Sequence, residues 1–239
     1  MEVKIFNIDG IDYNFKFFIE RRNSTRASVT KNGVNIRIPK HLSLEKKQTE
    51  INSLVNWAIK KIESNPPEKK REYRHNDEIN VFNKIYFLHI EIRDSEKNFA
   101  KIEQNFIYFK IAQKHTSKKR QEYISKQLQK LLSKHHTQEL FERVTFLNEK
   151  HFQKKILGIK FKHTKSRWGC CNYRKKEIDF SSKLLLAPRE ILDYVIIHEL
   201  AHLIEPNHSR NFWKLVNMAD PEYKSKIKWL KKNGNKLVL

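Results

Sequence analysis

Between Pro188 and Pro206 the chain runs Arg189-Glu190-Ile191-Leu192-Asp193-Tyr194-Val195-Ile196-Ile197-His198-Glu199-Leu200-Ala201-His202-Leu203, and no other stretch limits the fold as strongly. Ile191, Leu192, Val195, Ile196, Leu200 and Leu203 recur at helical spacing, which reads as a helix with a buried face. Pro188 suits its first turn and Pro206 is expected to stop it. The helix must then take His198, Glu199 and His202 in among Ile196, Ile197 and Leu200. Two imidazoles and a carboxylate in apolar surroundings are costly unless they are paired or hold a metal.

Helical residues four apart sit about 40° apart around the axis, one turn along it. His198 and His202 can therefore reach one metal ion from the same face. Glu199, next in sequence to His198, flanks that face and can address a metal-activated water without ligating the ion. This His-Glu-x-x-His spacing is the signature of zinc-peptidase helices. Chance is a rival in a chain with 11 histidines, but the apolar setting weighs against it. Catalytic zinc takes three protein ligands and keeps one position for water. His208 follows Pro206 at once. In a further helix starting near Asn207 or His208, it would share a stripe with Phe212, Leu215, Val216 and Ala219 and face inward. The alternatives are Glu205 as ligand, or His208 as a core or capping residue.

The rest of the chain alternates strand and helix signals. Residues 1–40 read as strands: Val3, Ile5 and Ile8, a turn at Asp9-Gly10, then Tyr13, Phe15 and Phe17, a second turn at Lys31-Asn32-Gly33, and Val34, Ile36 and Ile38. A helix follows over residues 43–63, with Ser43 as cap. Pro66-Pro67 and the charge run to Arg74 read as a linker. Strand signals return over 79–112. A long helical pattern covers 117–147, with a bend or break near His135-His136. Strands at Ile156–Phe161 and Ile178–Phe180 flank a Trp168–Lys176 loop, and a basic helix follows Pro221. No internal repeat is visible. The expectation is an α+β chain: a β-rich region with one helix over 1–115, then a catalytic core over 116–239.

Hydrophobic residues at 38% support a folded protein despite 32% charged residues. Lys and Arg outnumber Asp and Glu by 49 to 27, a net charge of +22, which favours contact with polyanions such as nucleic acid. Segments Lys118-Lys119-Arg120, Arg174-Lys175-Lys176 and Lys226–Lys232 are candidates, although solvated helix faces would look the same. Cys170 and Cys171 are neighbours, too close for ordinary disulfide geometry, and read as reduced thiols. With no secretory leader and no membrane-spanning run, the chain reads as soluble and cytoplasmic.

Residues 164–216 resemble the YgjP-like metallopeptidases, small zincins related to the SprT and Spartan group. The matching stretches are Ser166-Arg167-Trp168-Gly169-Cys170, Ala187-Pro188, Asp193 to Leu203, Asn207-His208-Ser209 and Phe212-Trp213. Weaker resemblance extends over 18–62, with Arg21-Arg22, Arg26 and Trp57. The resemblance implies a zincin-like core of long helix, small sheet, metal helix and following helix. It also implies one zinc ion on His198, His202 and His208, with Glu199 catalytic. The family usually has Ser where this chain has Cys170.

The expected reaction is hydrolysis of a peptide or protein substrate, with Glu199 taking a proton from water and passing it to the leaving amine. Arg167, His163 and Tyr173 are candidates to stabilise the oxyanion. Nucleic-acid-associated proteins are one substrate class that the charge and the distant Spartan likeness suggest. The rivals are a nucleic-acid-binding protein with a structural zinc site and a hydrolase of non-peptide amides. The sequence leaves the oligomeric state open.

Overall fold

A computed structural model describes residues 2–30, 33–64, 71–164 and 166–239. The expected Lys31-Asn32 turn and the Pro66-Pro67 linker lie outside the described residues. The architecture is α+β, with six α-helices and three mixed sheets among the described residues. No helix described is long and apolar enough to cross a membrane.

The chain divides into compact units over Met1–Lys69 and Lys70–Leu239, not at residue 115. In the first, β1 (Glu2–Ile8), β2 (Ile11–Glu20), β3 (Arg26–Thr30) and β4 (Gly33–Pro39) form a sheet of order β1-β2-β4-β3, followed by α1 (Leu44–Ser64). Asp9 and Gly10 both have positive φ, 52° and 78°, as a tight two-residue hairpin requires. Period-two alternation buries Tyr13, Phe15, Phe17, Val34, Ile36 and Ile38 beside Ala58 and Ile62 of α1. Gly33 is fixed by close approach, because a Cβ there would lie 2.0 Å from the Asn14 carbonyl oxygen.

The second unit opens with the same plan. Strands β5 (Glu78–Val81), β6 (Lys84–Arg93), β7 (Phe99–Glu103) and β8 (Phe106–Ala112) pair in the order β5-β6-β8-β7, and α2 (Ser117–His135) follows. In both sheets the first pair is antiparallel, the central pair parallel and the last pair antiparallel. The helix caps also correspond: the Ser43 hydroxyl accepts from the Lys46 amide, and the Thr116 hydroxyl from the Lys119 amide. The chain therefore contains a repeated ββββα module that its sequence does not advertise, because the two copies share apolar pattern and not residue identity. This also explains the division at 69. Ile79, Val81, Tyr86, Leu88, Ile107 and Phe109 join one continuous hydrophobic cluster with the C-terminal helices, so the second sheet belongs with the core that follows it.

The expected break in the long helix falls at His136, between α2 and α3 (Thr137–His151). His136 is only 1% exposed, with Nε2 3.0 Å from the Tyr86 hydroxyl and Nδ1 2.9 Å from Glu139. A third sheet has the order β10-β11-β9, built from β9 (Gly158–Lys162), β10 (Gly169–Asn172) and β11 (Glu177–Ser181). Residues within the expected 168–176 loop thus include a strand. Strand β10 is antiparallel to β11, and β11 is parallel to β9. A 3₁₀ turn (Ser182–Leu186) leads to α4 (Arg189–Ala201), α5 (Arg210–Ala219) and α6 (Tyr223–Asn233).

Candidate metal centre

Helix α4 is buried nearly all round, with Ile191, Leu192, Val195, Ile196, Ile197, Leu200 and Ala201 each at most 3% exposed. Its N-terminal half is tied to α3 by Arg143, whose Nε and Nη2 each donate to Asp193 at 2.6 Å. The helix ends at Ala201, earlier than Pro206 alone would dictate. His202 is its C-cap, and the amides of Leu203, Ile204 and Glu205 turn back onto Leu200 and Ala201.

His198, His202 and His208 converge, each offering a nitrogen within 4.8 Å of the others. Nε2 of His208 lies 3.0 Å from Nε2 of His198. His208 does not reach the site by the predicted route. It precedes α5, outside the helix that Ser209 caps, and its residue is exposed. The turn after α4, not a helical stripe, brings its ring over the other two. Phe212, fully buried on α5, underlies all three imidazoles, with ring centroids at 4.9, 4.5 and 4.7 Å from His198, His202 and His208. Trp213 stacks on His208 at 5.8 Å.

The donor set fits a borderline metal such as zinc. His202 Nδ1 donates to the Glu205 carbonyl at 3.1 Å, which leaves Nε2 as the ligand atom. His198 Nδ1 faces the Tyr194 hydroxyl at 3.5 Å, leaving its Nε2 free in the same sense. Such outer partners fix the tautomer of metal-binding histidines. Burial, then the neighbouring His202 and His208, pushes the His198 imidazole down to about 3, and burial also lowers His202. Neutral imidazoles are the form that a cation requires. Glu205 instead uses its backbone carbonyl on His202 and its carboxylate on Ser209, so the rival ligand has other work.

Glu199 is 5% exposed. Burial raises its carboxyl to about 7, against the Cys171 backbone N–H and the Arg167 guanidinium, which both favour the charged form. A Cβ added at Gly169 would lie 2.4 Å from Glu199 Oε1 and 2.6 Å from Cδ and Cγ. The glycine of the Arg-Trp-Gly stretch is therefore the space into which Glu199 fits.

A cavity of about 630 Å³ surrounds these groups. Arg167 and Tyr173 line it, as do both cysteines, whereas His163 is not among its lining residues. Cys170 is exposed; Cys171 is half-buried, and burial pushes its thiol up to about 12. Sequence reasoning does not place Tyr194, Ile227, Leu230 and Lys231 at this cavity, which they also line; the last three lie in the Lys226–Lys232 segment read above as a polyanion contact. Tyr194 carried a signal, since it lies four residues before His198 on the same helix face. The three from α6 carry no signal of proximity to α4.

Residues 23–233 match the YgjP-like metallopeptidase domain. Over 81 residues the chain is 31% identical to the UTP pyrophosphatase of Escherichia coli (strain K12), taking in 34% of this chain and 48% of that protein. The chain thus spans about half the length of that curated relative. A crystal structure of the metallopeptidase zymogen of Pyrococcus abyssi, abylysin, overlaps 39% of this chain and 93% of its own, with a TM-score of 0.36 and 21% identity. The domain match spans most of the sequence and takes in the three histidines and the glutamate, and the chain belongs to the YgjP-like metallopeptidase family.

Proposed function

We propose that this chain is a zinc-dependent peptidase, with one Zn2+ held by His198, His202 and His208 and with Glu199 as general base. The observation that carries the reading is three imidazole nitrogens within 4.8 Å of one another beside a buried carboxylate. A divalent ion held there would acidify a water and polarise the scissile carbonyl. The chain supplies the remainder. Glu199, with its carboxyl near 7, sits where a base matched to neutral pH is useful, and passes the proton to the departing amine. Cys171 N–H orients that carboxylate. Arg167 lines the same cavity and is the candidate to stabilise the developing oxyanion. The net charge of +22 suits substrates that travel with nucleic acid.

The decisive experiment is Glu199→Gln. Zinc content by mass spectrometry should stay at one ion per chain while hydrolysis of a fluorogenic peptide library falls by about 10²-fold or more. Unchanged turnover would remove Glu199 from the chemistry. A wild-type chain that holds zinc yet cleaves no member of the library would instead favour a structural zinc site.

A second reading is hydrolysis of a nucleoside triphosphate between its phosphates. Two observations favour it: the resemblance to a UTP pyrophosphatase, and a cavity lined by Arg167 and Lys231 with Glu199 as its one carboxylate among the described residues. Phosphoryl groups need such cations, and the same base and metal suit both reactions. Parallel assays for pyrophosphate release from UTP and for peptide cleavage separate the two.

A further inference from the structure

The outer face of the β5–β8 sheet carries a line of aromatic rings that neither the hydrophobic core nor the metal centre uses. Alternation sends Tyr86, Leu88, Ile107, Phe109 and Ile111 inward, each at most 1% exposed. The intervening residues of the two central strands are Phe87 and His89 on β6, and Phe106 and Tyr108 on β8. They stand opposite one another, Phe87 with Phe106 and His89 with Tyr108. Ring centroids follow at 5.8 Å from Phe87 to Phe106, 6.1 Å to Tyr108, 5.4 Å to His89 and 4.6 Å to His75. Phe99, on the neighbouring edge strand, is 50% exposed and Phe106 43%.

The fold does not require these rings. The repeated module supplies the comparison, since aligning Val34 with Ile107 places the two sheets in register. The positions of Phe87, His89, Phe106, Tyr108 and Phe99 are then filled in the first sheet by Asn14, Lys16, Gly33, Asn35 and Arg26. At these five positions the first sheet carries polar residues or glycine, with Val3, Ile5 and Phe18 elsewhere on that face; the second sheet carries a ring at every one of them.

We propose that this face is a stacking platform for unpaired nucleobases, so that the chain binds single-stranded nucleic acid here. Exposed aromatics on the two central strands of a four-stranded sheet offer π-faces on which successive bases can stack, whatever their identity. Basic residues flank the rings, but Lys101 is already engaged by Glu103, so Lys110 is the cation offered to a phosphate. Lys101 Nζ lies 5.3 Å over the Tyr108 ring, and Lys110 sits between Glu91 and Phe99 on the same face. Two of the face's carboxylates are neutralised in ion pairs, Glu91 with Arg93 and Glu103 with Lys101, and Glu78 stands at its β5 edge. The net charge of +22 draws a polyanion to the chain as a whole. This inference stands apart from the hydrolase reading, because binding is read without turnover.

The test is fluorescence anisotropy at low salt with labelled oligo(dT) and oligo(U) of about twelve nucleotides. The wild-type chain should bind at least one of them. Phe106→Ala with Tyr108→Ala should weaken binding about tenfold or more while circular dichroism is unchanged. A Tyr108→Trp variant should keep the affinity, and binding should quench its emission beyond that of the wild type, which a merely structural role would not produce. Preference for one sugar tells RNA from DNA. Absence of binding to both oligomers at low salt overturns the proposal, as does full affinity in the double alanine variant. So does sedimentation showing a dimer that the double variant dissolves, which would assign the face to a second copy.

Discussion

Gly169→Ala isolates the fit between strand β10 and Glu199, the proposed general base. The added methyl would lie 2.4 Å from Glu199 Oε1 and 2.6 Å from its Cδ and Cγ, against an ordinary contact of 3.4 Å or more. The carboxylate must therefore retreat by about 1 Å, a displacement that costs on the order of 10²-fold when it falls on a reacting group. The fold suffers less, because the clash is with one side chain and not with backbone, and overpacking of this kind costs about 1–3 kcal/mol. The variant should thus keep its zinc and most of its stability while kcat/KM on a fluorogenic peptide drops about a hundredfold. Gly158→Ala is the control. It lies in the same sheet, and its methyl meets the Glu177 Cγ at 3.2 Å, a residue on the exposed surface. Its activity should match the wild type. If Gly169→Ala retains wild-type kcat/KM, Glu199 is not the base, or its placement against β10 does not matter, and the reasoning fails.

Three other outcomes are expected. Phe212→Ala should cost about 3–5 kcal/mol in urea unfolding and weaken zinc binding about 10–100-fold, as loss of an outer support does; Phe212→Leu should recover most of both. Arg143→Ala strands the half-buried Asp193, which now receives two bonds of 2.6 Å, at a cost of about 1–3 kcal/mol, and a double-mutant cycle with Asp193→Ala should return a favourable coupling. Burial holds His136 below its usual 6.5, outweighing the hydrogen bond to Glu139. As pH falls through 6.5, the unfolded chain takes up a proton that the fold refuses, so this contribution is complete above 6.5 and is lost toward acid. The urea midpoint should drop from about pH 7 to about pH 5, less steeply in His136→Gln, and an equal drop in that variant would exclude His136 as a source.

What could be read in the sequence follows from where burial is periodic. Tyr13, Phe15 and Phe17, or Ile191 through Leu203, face a core at the period of their element, so pattern alone placed them. The break at His135-His136 is legible because every residue from Ser133 to Glu139 is polar, an interruption in the apolar run. Strand β10 was not: Gly169-Cys170-Cys171-Asn172 has no alternation, and its reason for being extended is pairing with β11, a tertiary fact. His208 was assigned to the site on a helical stripe it does not occupy. Its proximity to His198 comes from the turn after Ala201. The α6 residues that line the cavity lie some thirty residues downstream of α4, where local spacing carries no information on approach.

The candidate metal site and the core are continuous, and the same burial prepares both. Packing α4 on all sides removes water from His198, His202 and Glu199 together. For the imidazoles that means neutrality: His198 is pushed down to about 3 and His202 is lowered as well. A cation arriving at neutral pH therefore displaces no proton from either, which removes a penalty that flexible histidines in a peptide would carry. For Glu199 the same desolvation works in the other direction and lifts the carboxyl to about 7. One environment therefore yields neutral imidazoles and a carboxyl raised toward neutrality, as the proposed roles require, because burial disfavours charge whatever its sign. The Arg143–Asp193 tie and the Phe212 floor belong to this arrangement as much as the ligands do, since a helix free to move outward would rehydrate all three groups at once.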